Sequence, residues 1–407
     1  MNLTAPTRRR AARLPVALLS LWLVACGGGG SSPSPAPSPA PGPSPAPAPT
    51  TPPRAETFAS GLSWPWGMVF LPDGSMLVTE RGGQLKRVSA DGRSVSAPIS
   101  GTPAVDAGGQ GGLLDVAVAA DFATSRRIFL SFAEPGIGAE AGTNGTAVGT
   151  AVLNAGFTAL TGWTVIFRQS PKVASQGHFG SRLVLARDGT LFVTLGDRQS
   201  NSERVRAQDL SAGHGKVMRI RTDGSVPGDN PFVGAAGAQA TIWSYGHRNM
   251  QGAALHPTTG ELWTSEHGPQ GGDEVNRTLA GRNYGWPRVS YGCEYGTPVG
   301  ACPPVGNAST GAGYEPPLTW WVPTSIAPSG MAFYTGSRFP EWQGSLFVGA
   351  LAGRALWRLA LAGNAVASRE ALFTDLNERI RDVRQGPDGW LYLLTDSSSG
   401  RIVRIVR

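Results

Sequence analysis

His178 lies in the run GHFGSRLVLARDGTLF, a glycine-rich loop ahead of an alternating apolar stretch, and the chain has only five histidines. An imidazole titrates near neutrality and suits removal of a proton from a hydroxyl, although most loop histidines are ordinary polar residues. Arg248 and Asn249, in YGHRNMQG, stand just ahead of a similar stretch, and Arg379 and Arg381, in ERIRDV, do the same near the C-terminus. Three guanidinium groups brought together would suit a multiply carboxylated ligand; the competing reading is three solvated arginines. Gln110, in DAGGQGGLLDV, occupies another glycine-rich loop and says little alone. In SEHGPQGGDE, Ser265 to Glu274, the pair Gly268-Pro269 offers two carbonyls in a constrained turn, and Glu274 adds a carboxylate. Such oxygens suit a hard cation such as calcium, but the regular acidic spacing of an EF-hand is missing.

These residues need a scaffold that gathers distant segments. One phrase recurs along the chain: an apolar strand, a tight turn, an alternating strand, a polar break and a third strand. GMVFLPDGSMLVTERGGQLKRV from Gly67, RLVLARDGTLFVTLGD from Arg182, GAALHPTTGELWTSEHG from Gly252 and DVRQGPDGWLYLLTD from Asp382 show it most plainly. Looser copies start at Leu113 and Ser329. Asp-Gly pairs supply the positive φ of short hairpins, and the alternation marks half-buried strands. Six copies at unequal spacing predict an all-β, six-bladed β-propeller with four-stranded antiparallel blades over 55–407; a β-sandwich with a second domain is the main competitor. A propeller carries its functional loops around a central channel, where polar residues from several blades converge.

The first 25 residues read as an export signal, with Arg8, Arg9, Arg10 and Arg13 ahead of LPVALLSLWLVA. That run is short for a membrane span. LVAC, Leu23 to Cys26, resembles a bacterial lipobox that makes Cys26 a lipidated N-terminus; an ordinary signal cleaved elsewhere is the alternative. Residues 26–54 are rich in Gly, Ser, Pro and Ala and lack the apolar residues a fold needs, so they predict a disordered tether. Loss of residues 1–25 removes four arginines and no acids, lowering the formal charge from +7 to +3, and no nucleic-acid partner is expected. With Cys26 assigned to lipid, Cys293 and Cys302 remain, and in an exported protein an even remainder suggests a disulfide; two free thiols are the other reading. A zinc site would need further ligands that do not lie nearby.

GQGGLLD, HFGSRL, YGHRNMQG, SEHGPQGGDEVN, NYGWP, APSGMAFY and RIRDVRQGPDGWLYLLTD, in this order from about Phe58 to Val406, resemble the soluble PQQ-dependent aldose dehydrogenases of the glucose/sorbosone dehydrogenase family. The resemblance implies a six-bladed propeller that oxidises aldoses at the anomeric carbon to lactones and passes electrons to an external acceptor, a quinone or cytochrome. It implies that His178 is the base, with Arg248 beside it, and that Gln110, Arg248, Asn249, Arg379 and Arg381 contact PQQ. The Gly268 and Pro269 carbonyls then resemble the ligands of a calcium ion that bridges to PQQ, and Glu274 with the backbone of Tyr284 resembles a second, structural calcium site. Where some members carry a lysine to PQQ, Ala352 stands here, with Arg354 as the nearest substitute cation.

Two other functions compete: a propeller that binds glycans or proteins without redox chemistry, and a metal-dependent lactonase, which needs more inward carboxylates than the chain offers. The glycine after Cys26 favours sorting to the outer membrane, so a lipid-anchored protein facing the periplasm or cell surface is expected.

Overall fold

The computed structural model describes residues 51–298 and 300–407. The export signal, Cys26 and nearly all of the predicted tether lie outside the described residues. Among those described, no helix is long and apolar enough to cross a membrane.

Six antiparallel sheets follow one another around a ring, which is the predicted six-bladed β-propeller. Each blade begins with a strand near the axis: Pro65–Phe70, Leu113–Val118, Leu183–Leu185, Met250–Leu255, Pro328–Phe333 and Ile380–Gln385. These inner strands neighbour one another in a closed circle. The hairpins form where the Asp-Gly pairs predict them. Gly74, Gly189 and Gly389 take φ of 81°, 80° and 82°. The aspartate before each accepts the backbone N–H two residues on, from Ser75 at 2.9 Å, Thr190 at 2.9 Å and Trp390 at 3.2 Å.

Alternation along the strands buries one side chain set against each neighbouring blade. Leu77, Leu113 and Leu130 pack blades one and two together, and Phe129, Leu191 and Ile220 pack two and three. Phe192 and Met250, Trp263 and Val348, and Phe347 and Leu393 join the next pairs. Met68, Val78, Tyr392 and Ile402 close blade six onto blade one.

Two features depart from the predicted regularity. The first blade has three strands, not four. After Gln84–Val88 its outer segment forms no fourth strand: it makes the isolated bridge Val88–Val95 and single backbone bonds from Ser96 N–H to Arg87 and from Ile99 N–H to Leu85, each 2.8 Å. Pro98 and Pro103 follow directly, and proline cannot donate to a ladder. The last blade is completed by Arg54–Leu62, which pairs with Gly400–Val406 and so fastens the two ends of the ring.

The channel is filled by charge. Arg182 Nη1 lies 3.0 Å from Asp115 Oδ1 and 3.2 Å from Asp382 Oδ1, and all three side chains are fully buried. Arg384 reaches Asp382 Oδ2 at 3.1 Å and Asp115 Oδ1 at 3.5 Å. The backbone N–H groups of Met68 and Leu183 donate to the same two carboxylates. The knot thus draws on blades one, two, three and six and forms a floor under the upper end of the channel.

Candidate active site

Above this floor opens a cavity of about 440 Å³, lined by Trp64, Trp66, Arg81, Gln110, Gln251, His267, Arg379, Arg381 and Asp396, among others. Trp66 separates it from the knot, with the Arg182 guanidinium 4.3 Å from its ring centre. Arg379 Nε and Arg381 Nη2 flank Asp396 Oδ2 at 3.0 and 3.1 Å, and Arg381 Nη1 donates to Gln251 Oε1 at 2.6 Å. Burial pushes the Asp396 carboxyl up, but the two arginines more than offset it and hold the group below its usual range. Arg81 Nε, His267 Nε2, Arg381 Nε and Asp396 Oδ1 are buried with no hydrogen-bond partner, as is Asn249 Nδ2. Orphaned polar atoms are costly in a finished interior, so a ring of them around a cavity marks where a polar ligand belongs. Three guanidinium groups against one carboxylate suit a planar polyanion, and Trp64 and Trp66 supply flat faces.

His178 is buried behind this wall in a left-handed conformation, φ 49°. Its backbone N–H donates to Gln110 Oε1 at 2.9 Å, which joins the loop of blade two to that of blade three. Its Nδ1 lies 2.6 Å from Asp197 Oδ1. Trp286 Nε1 donates to Asp197 Oδ2 at 2.7 Å and the Gln199 N–H to Oδ1 at 2.8 Å. Burial raises the Asp197 carboxyl, but His178, Arg248 and the Gln199 amide pull it below the ordinary range. An ionised Asp197 requires the hydrogen on Nδ1 and leaves Nε2 with a free lone pair. Burial first, and then the Arg248 charge, push His178 below its ordinary value, with Asp197 opposing. The ring is therefore neutral at pH 7, the form that can accept a proton.

The SEHGPQGGDE loop is folded by Asp273. Its Oδ1 accepts the Gly268 N–H at 2.8 Å, and its Oδ2 accepts from Ser325 Oγ, Ile326 N and Ala327 N at 2.6, 2.6 and 2.8 Å. A Cβ at position 268 would lie 2.2 Å from the Gly271 oxygen and 2.4 Å from that of Gly272, so only glycine fits. Arg248 Nη1 donates to the Gly268 and His267 carbonyls at 2.5 and 3.1 Å. The Gly268 oxygen retains a second lone pair.

Beneath the loop, Glu266 and Glu274 stand opposite each other on paired strands. They border a cavity of about 20 Å³ with Arg248, Gly268, Pro269 and Tyr284, roughly the room that one water or ion needs. Asn276 Nδ2 donates to both acids, at 2.8 and 3.2 Å, while its Oδ1 has no partner. Burial, and then the Glu266 charge, push Glu274 well above the usual range. Like charges in register are unfavourable unless a cation joins them. Among the described residues no group of three or more His, Cys, Asp or Glu side chains converges as a metal cluster. The donors that are present, two carboxylates with amide and backbone oxygens, are the all-oxygen type that hard cations take.

The structure thus brings Gln110, Arg379 and Arg381 to one cavity, sets Arg248, Gly268, Pro269, Glu274 and Tyr284 around its smaller neighbour, and joins His178 to both through Gln110 and the Arg248 field. Asn249 is buried between them, its Oδ1 accepting the Gly180 N–H at 3.1 Å. Arg354 is turned away: its Nη1 lies 3.0 Å from Asn377 Oδ1, and it does not line the central cavity. Cys293 and Cys302 form a disulfide. It borders a separate cavity of about 530 Å³, which has no charged lining residue and is not the site. Asp197, Glu266, His267, Gln251, Asp396, Trp66 and Arg81 were not singled out in the sequence. Glu266 ends a strand of its blade and Asp197 stands two residues past the end of another, positions that could have drawn attention to them.

The chain matches the family model described as Glucose / Sorbosone dehydrogenase over residues 62–404. It is 46% identical over 351 residues to aldose sugar dehydrogenase YliI of Escherichia coli, covering 86% of this chain and 92% of that relative. A crystal structure of a glucose dehydrogenase is 48% identical with a TM-score of 0.81, over 87% of this chain and 99% of the other. The PQQ-bound form of an aldose sugar dehydrogenase from Streptomyces coelicolor is 28% identical with a TM-score of 0.70, over 88% and 99%.

Proposed function

Given that the chain belongs to the Glucose / Sorbosone dehydrogenase family, we propose that it is a PQQ- and calcium-dependent dehydrogenase that oxidises aldose sugars at the anomeric carbon to lactones. The observation that carries this reading is the neutral His178 ring held by an ionised Asp197, set beside a cationic cavity whose lining atoms lack partners. Arg379 and Arg381 would hold carboxylates of PQQ there, with Gln110, Arg248 and Asn249 completing its contacts. The Gly268 and Pro269 carbonyls would hold one calcium ion and Glu274 with the Tyr284 backbone a second. Bound PQQ supplies the two-electron acceptor for the hydride that leaves the sugar.

The chain's own residues do the rest. His178 Nε2 takes the proton of the anomeric hydroxyl, and Asp197 stabilises the imidazolium that forms and keeps the ring oriented. Arg248 limits the basicity of His178 so that the ring is unprotonated when a sugar arrives. Arg381, almost fully buried, holds its charge in a low-dielectric wall, where it acts more strongly on a neighbouring anion than it would in water.

The export signal, lipidated Cys26 and tether would hang the propeller, 55–407, from a membrane facing the periplasm or cell surface, with electrons passing to an external quinone or cytochrome. Protein freed of cofactor is expected to gain sugar-dependent dye reduction when PQQ and calcium are restored, and His178→Gln to remove that gain. Sugar binding indifferent to both additions would favour a non-redox glycan-binding propeller instead.

A further inference from the structure

Arg198, next in sequence to Asp197, is fully buried. All three hydrogen bonds of its guanidinium group go to neutral oxygens. Nη1 donates to the Gly177 carbonyl at 2.8 Å, and Nη2 donates to the Ser175 carbonyl at 2.6 Å and to Asn144 Oδ1. Nε has no partner. Burial pushes the group down to about 10, against the pull of Asp197, Asp106 and Glu203, so it is still charged at pH 7. A buried cation bonded only to neutral oxygens is a poor way to stabilise a fold. The backbone is strained at the same place: Arg198 and Gln199 take φ of 66° and 70°, two consecutive side-chain-bearing residues in the left-handed region.

The contacts of Arg198 converge on His178. Gly177, whose carbonyl takes Nη1, immediately precedes it. Phe179, which follows it, has its ring centre 3.7 Å from the guanidinium carbon and is buried against Trp66 and Leu114. Ser175 Oγ donates back to the Arg198 carbonyl at 2.8 Å, and Asn144, which starts the strand Asn144–Leu153 of blade two, donates from Nδ2 to Asp106 Oδ2 at 2.7 Å. The Asp197-Arg198 dipeptide thus grips His178 at three places: the ring, the preceding peptide and the following side chain. His178 itself has a φ of 49°, a conformation that its neighbours must hold.

We propose that Arg198 is a positioning residue for sugar oxidation, its guanidinium fork fixing residues 175–179 so that Nε2 of His178 stays directed at the hydroxyl it deprotonates. The inference rests on the dehydrogenase reading given above. A lysine at this position would keep the charge but lose the planar fork that reaches two carbonyls at once.

The test compares Arg198→Met and Arg198→Lys with the parent, each as the full chain reconstituted with PQQ and calcium. Arg198→Met should lower kcat for glucose about 10²-fold, the scale of an ångström's misplacement, while the KM for glucose and the Kd for PQQ change by less than about twofold. Arg198→Lys should recover part of the loss, to about tenfold below the parent. The two variants should also separate by pH. The His178 ring is faced by Arg248 and Arg198, which oppose its protonation, by Asp197, which favours it, and by His267, which burial keeps neutral. Loss of the Arg198 charge therefore raises the pKa of His178, so Arg198→Met should move the acid limb of kcat/KM to higher pH and Arg198→Lys should leave it in place. An NMR titration of His178 in cofactor-free protein reads the same shift without turnover. An unchanged kcat in Arg198→Met, a loss confined to KM or to PQQ binding, or a His178 titration that does not move overturns the positioning role and leaves the dehydrogenase standing. Failure of both variants to fold would make Arg198 a structural residue and overturn it as well. If the parent oxidises no sugar, the dehydrogenase reading falls, and this role with it.

Discussion

Two buried clusters of charge lie one above the other on the propeller axis, and they differ in how completely they satisfy themselves. In the lower one, Arg182 and Arg384 face Asp115 and Asp382, the carboxylates also take backbone N–H groups, and only Arg182 Nη2, over Trp66, is left without a partner. In the upper one, Arg381, Asp396, His267 and Asn249 each keep an atom with no partner, and Glu274 faces Glu266 across paired strands. The lower cluster ties blades together. The upper is incomplete as protein alone, and that incompleteness is what a ligand would relieve.

The difference can be broken from either side. The largest effect is expected at the proposed base: His178→Gln should lower kcat by about 10²–10⁴-fold with little change in Tm. A comparable loss of stability with the lost activity would make the residue structural. Breaking the lower knot should do the reverse. Asp382→Asn leaves buried guanidinium charge uncompensated and should cost about 3–5 kcal/mol in denaturant unfolding, with activity per folded molecule retained. A variant as stable as the parent would show that the knot does not hold the ring.

Calcium should act on the upper cluster alone. At a hundredfold excess over its Kd the ion held by Glu274 and the Tyr284 backbone should stabilise the protein by about 2.7 kcal/mol, and Glu274→Gln should remove that contribution while sparing the metal-free protein. Equal stabilisation of both proteins would place the ion elsewhere.

The smallest effect is a shift in pH dependence. Because the folded-state pKa of His178 lies below its ordinary value, kcat/KM should fall only as pH drops through that depressed value, below about 6.5. The stability sign agrees: below the ordinary value the unfolded chain binds the proton that the folded chain does not, so His178 makes the protein less stable as pH falls. Asp197→Asn removes the main influence that raises this pKa, so the acid limb should move lower still. A limb that stays in place would mean that another group controls it.

The blades were legible because their signals are local: an Asp-Gly pair fixes a hairpin, and the alternation around it fixes which face is buried. What depends on distant pairing was not. Arg54–Leu62 reads as the end of a linker until Gly400–Val406 is placed beside it, and the first blade's missing strand shows only as prolines near Val95. The site divides in the same way. His178, Arg248, Arg379, Arg381 and the Gly268-Pro269 turn lie in recognisable phrases. Asp197 and Glu266 acquire meaning only once the fold brings Nδ1 of His178 to one and the carboxylate of Glu274 opposite the other. Arg354 shows the converse: its place in the sequence suited a cation for the cavity, and the left-handed turn at φ 44° directs it to Asn377.

The most direct test removes both additions and restores them separately. Protein stripped of cofactor and metal is mixed with glucose and an artificial electron-accepting dye, then given calcium, PQQ or both. Dye reduction that appears only when both are present, and is absent from the His178→Gln protein, is the expected result. Reduction by the stripped protein, or none with both present across glucose, maltose and cellobiose, would contradict the assignment of the upper cluster as a redox site.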